Sequence, residues 1–137
     1  MVRLWPLGSG VKNKETPMAI QDSCQALTDE IVAFRDERNW SQFHTLKNLL
    51  VSLNLETSEL LEFAQWRDDK SLNEHLKNKK NLEAFADECG DILIYLLLIC
   101  SECGIDLVDA AHIKLGKNRQ KYPVEKSFGS SKKYTEL

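Results

Sequence analysis

Asp87-Glu88-Cys89-Gly90-Asp91-Ile92-Leu93-Ile94-Tyr95-Leu96-Leu97-Leu98-Ile99-Cys100 is the stretch on which the reading of this chain turns. Residues three apart share one face of a helix, so Glu88 and Asp91 aim their oxygens at one point. The run at 92–100 is apolar almost all round, which places its helix in an interior. Upstream, Glu56 and Glu59 repeat the same spacing and Glu62 extends the line. Charges are costly to bury unpaired. Lys or Arg partners at i+4 are missing, because those positions hold Leu60, Phe63, Ile92 and Tyr95. Four acids facing one another from two packed helices repel unless a hard divalent cation lies between them, and all-oxygen ligation suits Mg2+ or Mn2+. The competing reading is a solvated acidic face on each helix, which is what charge on a helix usually means. The missing i+4 partners favour the metal.

Working outward, nearly everything from 22 to 122 has helical period. Cys24, Leu27, Ile31 and Phe34 form an apolar stripe behind an N-cap at Asp22 or Ser23. A ring-rich loop follows, with Trp40, Phe43 and His44. A second helix is predicted at 45–66, with Leu46, Leu49, Leu50, Leu53, Leu60, Leu61 and Phe63 on its buried side. Ser71-Leu72-Asn73-Glu74 has the form of a capping box. The Lys-rich segment 77–81 reads as a turn, and a third long helix is predicted at 82–103, stopped by Gly104. Asp106 caps a fourth, which Pro123 ends. No strand of useful length is predicted. The expected fold is all-α, an antiparallel bundle of about four helices. Expected boundaries are an extension without helical period at 1–19, a helical domain at 20–123, and a polar tail at 124–137.

With 137 residues the chain fits one domain. A net charge of −3 gives no general attraction to nucleic acid polymers or anionic membranes. The run at 92–100 falls well short of the roughly twenty residues a membrane span needs. Cys100 and Cys103 make a lone CxxC with no second pair, so the four cysteines read as helix-core thiols in a reducing, cytoplasmic setting.

Lys114, Asn118 and Lys121 fall at i, i+4, i+7, a stripe able to hold phosphate oxygens that a metal also touches. A routine basic helix C-terminus would look the same. Trp40, Phe43, His44, Trp66 and Tyr95 could wall a nucleobase, since flat rings stack on bases, although rings at helix ends more often plug cores.

The run 55–62, with Glu56, Glu59 and Glu62, followed by 87–96, with Glu88 and Asp91, resembles the ExxE…ExxD pattern of MazG-like nucleotide pyrophosphohydrolases. Trp40-Ser41-Gln42-Phe43-His44, Phe63-Ala64-Gln65-Trp66, Asn118-Arg119-Gln120-Lys121-Tyr122-Pro123 and Lys133-Tyr134-Thr135-Glu136-Leu137 are similar, more narrowly, to the dCTP pyrophosphatase branch. The resemblance implies hydrolysis of (deoxy)nucleoside triphosphates to monophosphate and pyrophosphate. It implies Mg2+ on Glu56, Glu59, Glu88 and Asp91, phosphates on Lys114, Asn118 and Lys121, and the base on Trp40, His44, Trp66 and Tyr95. Ile31 stands where eukaryotic relatives carry a base-side histidine, which loosens the expectation of strict cytosine selectivity. A carboxylate not used up in ligation, Glu59 or Glu62, is the expected proton acceptor.

Three other classes compete. An all-α dUTP/dUDP hydrolase would use similar acids with a uracil pocket. A di-iron carboxylate bundle needs Glu-x-x-His pairs, and Glu59 and Glu88 are followed at i+3 by Glu62 and Asp91. A non-catalytic helical interaction module would carry its acids as plain surface. A helix apolar on all sides also needs neighbours on all sides, which predicts a homodimer or homotetramer.

Overall fold

The computed structural model describes residues 17–136. Its regular elements are α1 (Pro17–Glu37), α2 (Leu46–Glu62), α3 (Asp69–His75), α4 (Lys79–Glu102), α5 (Leu107–Lys121) and the single-turn α6 (Val124–Ser127), with a 3₁₀ turn at Tyr134–Glu136. The fold is all-helical, and no strand occurs among the described residues. None of these helices is long and apolar enough to cross a membrane. Residues 1–16 of the expected extension lie outside the described residues.

Several boundaries differ from the sequence reading. α1 opens at Pro17 rather than behind Asp22 or Ser23; proline suits a first helical position, where its missing N–H would have had no partner anyway. α2 stops at Glu62, not Trp66. The N–H groups of Ala64 and Gln65 reach back to Leu61 and Glu62 at 3.0 and 3.1 Å, tightening the last turn, and Trp66 then turns the chain at φ 63°. The N-cap of α3 is Asp68, whose side chain accepts the Ser71 N–H at 2.8 Å, so Ser71 belongs to the first turn instead of capping it. The Lys-rich segment is a turn only through Lys77 and Asn78: Asn78 caps α4 by accepting from Lys80 and Asn81 at 2.9 and 3.4 Å, and the helix starts at Lys79.

Two helix ends are closed by the same device. After α4, the Gly104 N–H meets Ser101 O and the Ile105 N–H meets Cys100 O, with Gly104 at φ 63° as expected. After α1, Asn39 takes the left-handed position at φ 54°, its N–H meets Asp36 O, and the Trp40 N–H meets Arg35 O at 3.0 Å. This is the six-to-one closure that asparagine can make in place of glycine, and it carries the chain directly into the ring-rich loop.

α2 and α4 run antiparallel. Phe63 packs edge-on against Phe85 with centroids 5.3 Å apart, while Leu49 shares the core with Leu97 and Leu98 further along. Ile31 of α1 completes that core, and Val32, Tyr95, Ile99 and Leu107 pack around it. Burying a leucine such as Leu49 contributes about 1.5–3 kcal/mol. The apolar run of α4 is only partly covered: Leu97, Leu98 and Cys100 are buried, but Leu93 and Ile94 are exposed. Of the side expected to be buried on α2, Leu49 is covered while Leu46, Leu50 and Leu61 are exposed. The core-thiol reading holds for Cys100; Cys24 is half-buried, and Cys89 and Cys103 are exposed. One chain folds around a small core and leaves much apolar surface open.

Candidate functional site

The antiparallel packing of α2 on α4 sets Glu56 and Glu59 opposite Glu88. One carboxylate oxygen from each of the three lies within 4.8 Å of the other two. Partial burial raises the Glu56 carboxyl above its usual range, and the charges of Glu59, Asp91 and Glu88 push it further. Glu88 is raised likewise, first by desolvation and then by Glu59, Asp91, Asp87 and Glu62. None of the ion pairs formed among the described residues touches these acids. Asp91 is exposed and stands outside the close trio, but near enough to act on two of its members. Glu62, the last residue of α2, adds its field to Glu88. Three convergent carboxylates without a cationic neighbour are an oxygen donor set of the kind a hard divalent cation takes.

Beside the acids lies a pocket of about 400 Å³. Ile31 and Phe34 of α1, Trp40 and His44 of the loop, and Asp91 and Tyr95 of α4 line it. Phe34 meets Trp40 edge-on at 5.9 Å, Trp40 meets His44 at 6.3 Å, and the Arg38 guanidinium lies 3.5 Å over the Phe34 ring. The loop is held by its backbone. The His44 N–H meets Trp40 O at 3.1 Å and Ser41 O at 3.2 Å, and Asn48 Nδ2 reaches Phe43 O at 2.9 Å from the start of α2. His44 Nδ1 is buried without a hydrogen-bond partner among the described residues, and His44 is itself part of the pocket lining. Phe34 and Arg35 also line this pocket and were not foreseen as site residues. The α1 stripe says which face turns inward, but not whether that face meets a core or a cavity.

The remaining expected residues stand elsewhere. Trp66 is 94 % exposed and is not among the residues lining the pocket. Lys114, Asn118 and Lys121 sit on α5, outside the carboxylate trio and the pocket lining. Lys121 Nζ lies 4.8 Å over the Tyr134 ring, which in turn meets Tyr122 edge-on at 6.0 Å, so the tail folds back on the end of α5.

Fold and site together define an all-helical protein with a carboxylate cluster beside a ring-lined pocket. A family model described as MazG-like matches residues 51–137. The dCTP pyrophosphatase 1 of Rattus norvegicus is 42% identical over 104 residues, 76% of this chain and 61% of that protein. The Homo sapiens dCTP pyrophosphatase 1 is 39% identical over 104 residues, with the same shares. The chain therefore spans about 61% of the length of the curated relatives it matches. Among solved structures, a pyrophosphatase from Archaeoglobus fulgidus DSM 4304 superposes with a TM-score of 0.67 at 36% identity, covering 83% of this chain and 99% of that one. The chain belongs to the MazG-like family.

Proposed function

We propose that this chain hydrolyses (deoxy)nucleoside triphosphates to the monophosphate and pyrophosphate, using Mg2+ (or Mn2+) and preferring dCTP or related deoxynucleotides. The observation that carries the reading is Asp91, which acts on the carboxylate cluster and also lines the ring pocket. A polyphosphate and a flat base can thereby be held next to each other. The names of the relatives support the same chemistry.

Glu56, Glu59 and Glu88, with Asp91 beside them, are the residues that would hold the metal. A divalent cation there would neutralise polyphosphate charge and make a bound water more acidic. Glu59 or Glu62 would accept the proton of the attacking water. Trp40 and Tyr95 would stack on the base, and His44 Nδ1 would offer it a hydrogen bond. Lys114, Asn118 and Lys121 are the proposed phosphate-side groups, balancing charge on the leaving pyrophosphate.

The proposed assembly is a homodimer or a homotetramer. Support comes from the apolar surface left open by one chain, including Leu61 at 69 % and Phe128 at 89 % exposure. In that assembly Trp66 and the tail 124–137 would meet the site of a neighbouring copy. The proposed helical domain is 20–123, followed by the tail 124–137, and the proposed setting is the cytoplasm. Ile31 on the pocket wall has no polar group to read a cytosine amino group, which keeps uracil nucleotides as the second reading.

Pyrophosphate release measured across the canonical and several modified deoxynucleoside triphosphates, with Mg2+ and with EDTA, tests the proposal. The expected result is Mg2+-dependent release, greatest for a cytosine nucleotide. No release from any nucleotide, or release indifferent to EDTA, would refute it.

A further inference from the structure

We infer that the ion pair between Arg35 and Glu102 is a clamp that positions the ring wall of the pocket, with Glu102 acting on nucleotide affinity from outside the pocket lining. The inference rests on the nucleotide hydrolysis proposed above. Arg35 links the ring loop to α4, holding the loop through its backbone and reaching α4 through its side chain. Its carbonyl accepts the N–H of Trp40 at 3.0 Å and of Arg38 at 3.2 Å, so the backbone carrying the ring loop hangs from this residue. Its guanidinium donates from Nη1 to Glu102 Oε1 at 2.8 Å and from Nε to Asp36 Oδ1 at 2.8 Å.

Glu102 is the last residue of α4, the helix that supplies Asp91, Tyr95 and Leu98 to the opposite wall. Most surface ion pairs do little, because both side chains move freely in water. The Arg35 side chain is only 12 % exposed, and its planar fork is held at two positions, so it has one orientation. Shifting it moves the α1 end on which Trp40 hangs, and with it the edge-on packing of Phe34 against Trp40. The expected consequence is loss of base affinity with the acids left in place.

The test compares wild type with Glu102→Ala, Glu102→Gln, Glu102→Asp and Arg35→Lys. KM and kcat are measured on the best nucleotide of the wild type, together with inhibition by inorganic pyrophosphate in Mg2+. Glu102→Ala, Glu102→Gln and Arg35→Lys are expected to raise KM at least about fivefold, the lower end of one lost base-stacking contact. In the Glu102 variants, which lie outside the pocket lining, kcat should stay within about twofold and the pyrophosphate inhibition constant should not move, because only binding of the base is disturbed. Glu102→Asp, which keeps the charge, should recover part of the loss. Should Glu102→Ala fail to fold, Glu102→Gln and Glu102→Asp carry the comparison. Folded variants with a lowered melting temperature and an unchanged KM would reduce the pair to a brace and overturn the clamp. An equal rise in KM and in the pyrophosphate constant would overturn it too, as general damage. A wild type that hydrolyses no nucleotide would overturn the proposed function and the clamp with it; an active wild type with indifferent variants overturns the clamp alone.

Discussion

Glu56→Gln should make the metal-free protein more stable while removing its activity. At 4.8 Å, the outer limit for the close trio, two unit charges in water repel by about 0.9 kcal/mol. Glu56 is half-exposed, so this solvent value applies and not the much larger low-dielectric one. Repulsion from Glu59, Asp91 and Glu88 together, partly screened at physiological salt, comes to about 1–2 kcal/mol. For a chain of this size that is a rise of about 4–8 °C in melting temperature. The effect depends on pH with a definite sign. Glu56 and Glu88 both titrate above the ordinary value of 4.5, so the fold favours their protonated forms. Below that value wild type and variant should melt alike; as pH rises through the raised range, wild type should lose stability relative to the variant. The assay is thermal melting in EDTA between pH 4 and neutrality at low and high NaCl, repeated with Mg2+. Salt should narrow the gap, and Mg2+ should stabilise wild type far more than Glu56→Gln. If the variant melts below wild type in EDTA at neutral pH and responds equally to Mg2+, these acids are not a mutually repelling cation site.

The other expected outcomes are shorter to state. Glu59→Gln and Asp91→Asn should each abolish pyrophosphate release with the helical circular dichroism intact, and near-wild-type turnover by either at saturating Mg2+ would contradict the four-acid site. Trp66→Ala should leave the unfolding free energy within about 0.5 kcal/mol, since the ring is 94 % exposed, while raising KM for nucleotides; a loss of about 3–5 kcal/mol in denaturation would instead mark a core ring. Light scattering at micromolar protein should report at least twice the 15.7 kDa chain mass, and a clean monomer that still hydrolyses nucleotides would refute the assembly.

What the sequence made legible follows from range. The i, i+3 spacing of Glu56 with Glu59 fixes their shared face within one helix, and a helix is rigid enough to keep that promise in three dimensions. Asp106 and Gly104 were equally readable, because a cap is decided within four residues. The caps that were missed, Asp68 and Asn78, were also local, but each sits in a polar stretch with several competing candidates. Phe34 is another matter. Its place in the stripe with Ile31 is local, but whether the stripe meets packed side chains or a cavity depends on where the loop after Asn39 returns. The same limit applies to Trp66, whose ring was predicted at the end of a helix that stops four residues earlier. Lys114, Asn118 and Lys121 share a stripe on α5, but a stripe does not say which part of the molecule it faces.

One face of α4 orders these parts by chemistry. Glu88, Asp91, Tyr95, Leu98 and Glu102 follow one another at steps of three or four, the spacing that keeps residues on one side of a helix. Along that line the face passes from the carboxylate trio, through Asp91, to the ring pocket, to the buried core at Leu98, and finally to the partner of Arg35. At 1.5 Å per residue, Glu88 and Tyr95 stand about 10 Å apart along the axis, a separation on the scale of a nucleotide lying with its phosphates at one point and its base at the other. A single helix therefore sets the spacing between charge and ring. The opposite wall is built from the end of α1 and a loop, and it has to be tied to that ruler by a separate contact. Arg35 bonded to Glu102 makes such a contact at the far end of the same face, so nucleotide affinity should respond to a residue about 21 Å along α4 from Glu88.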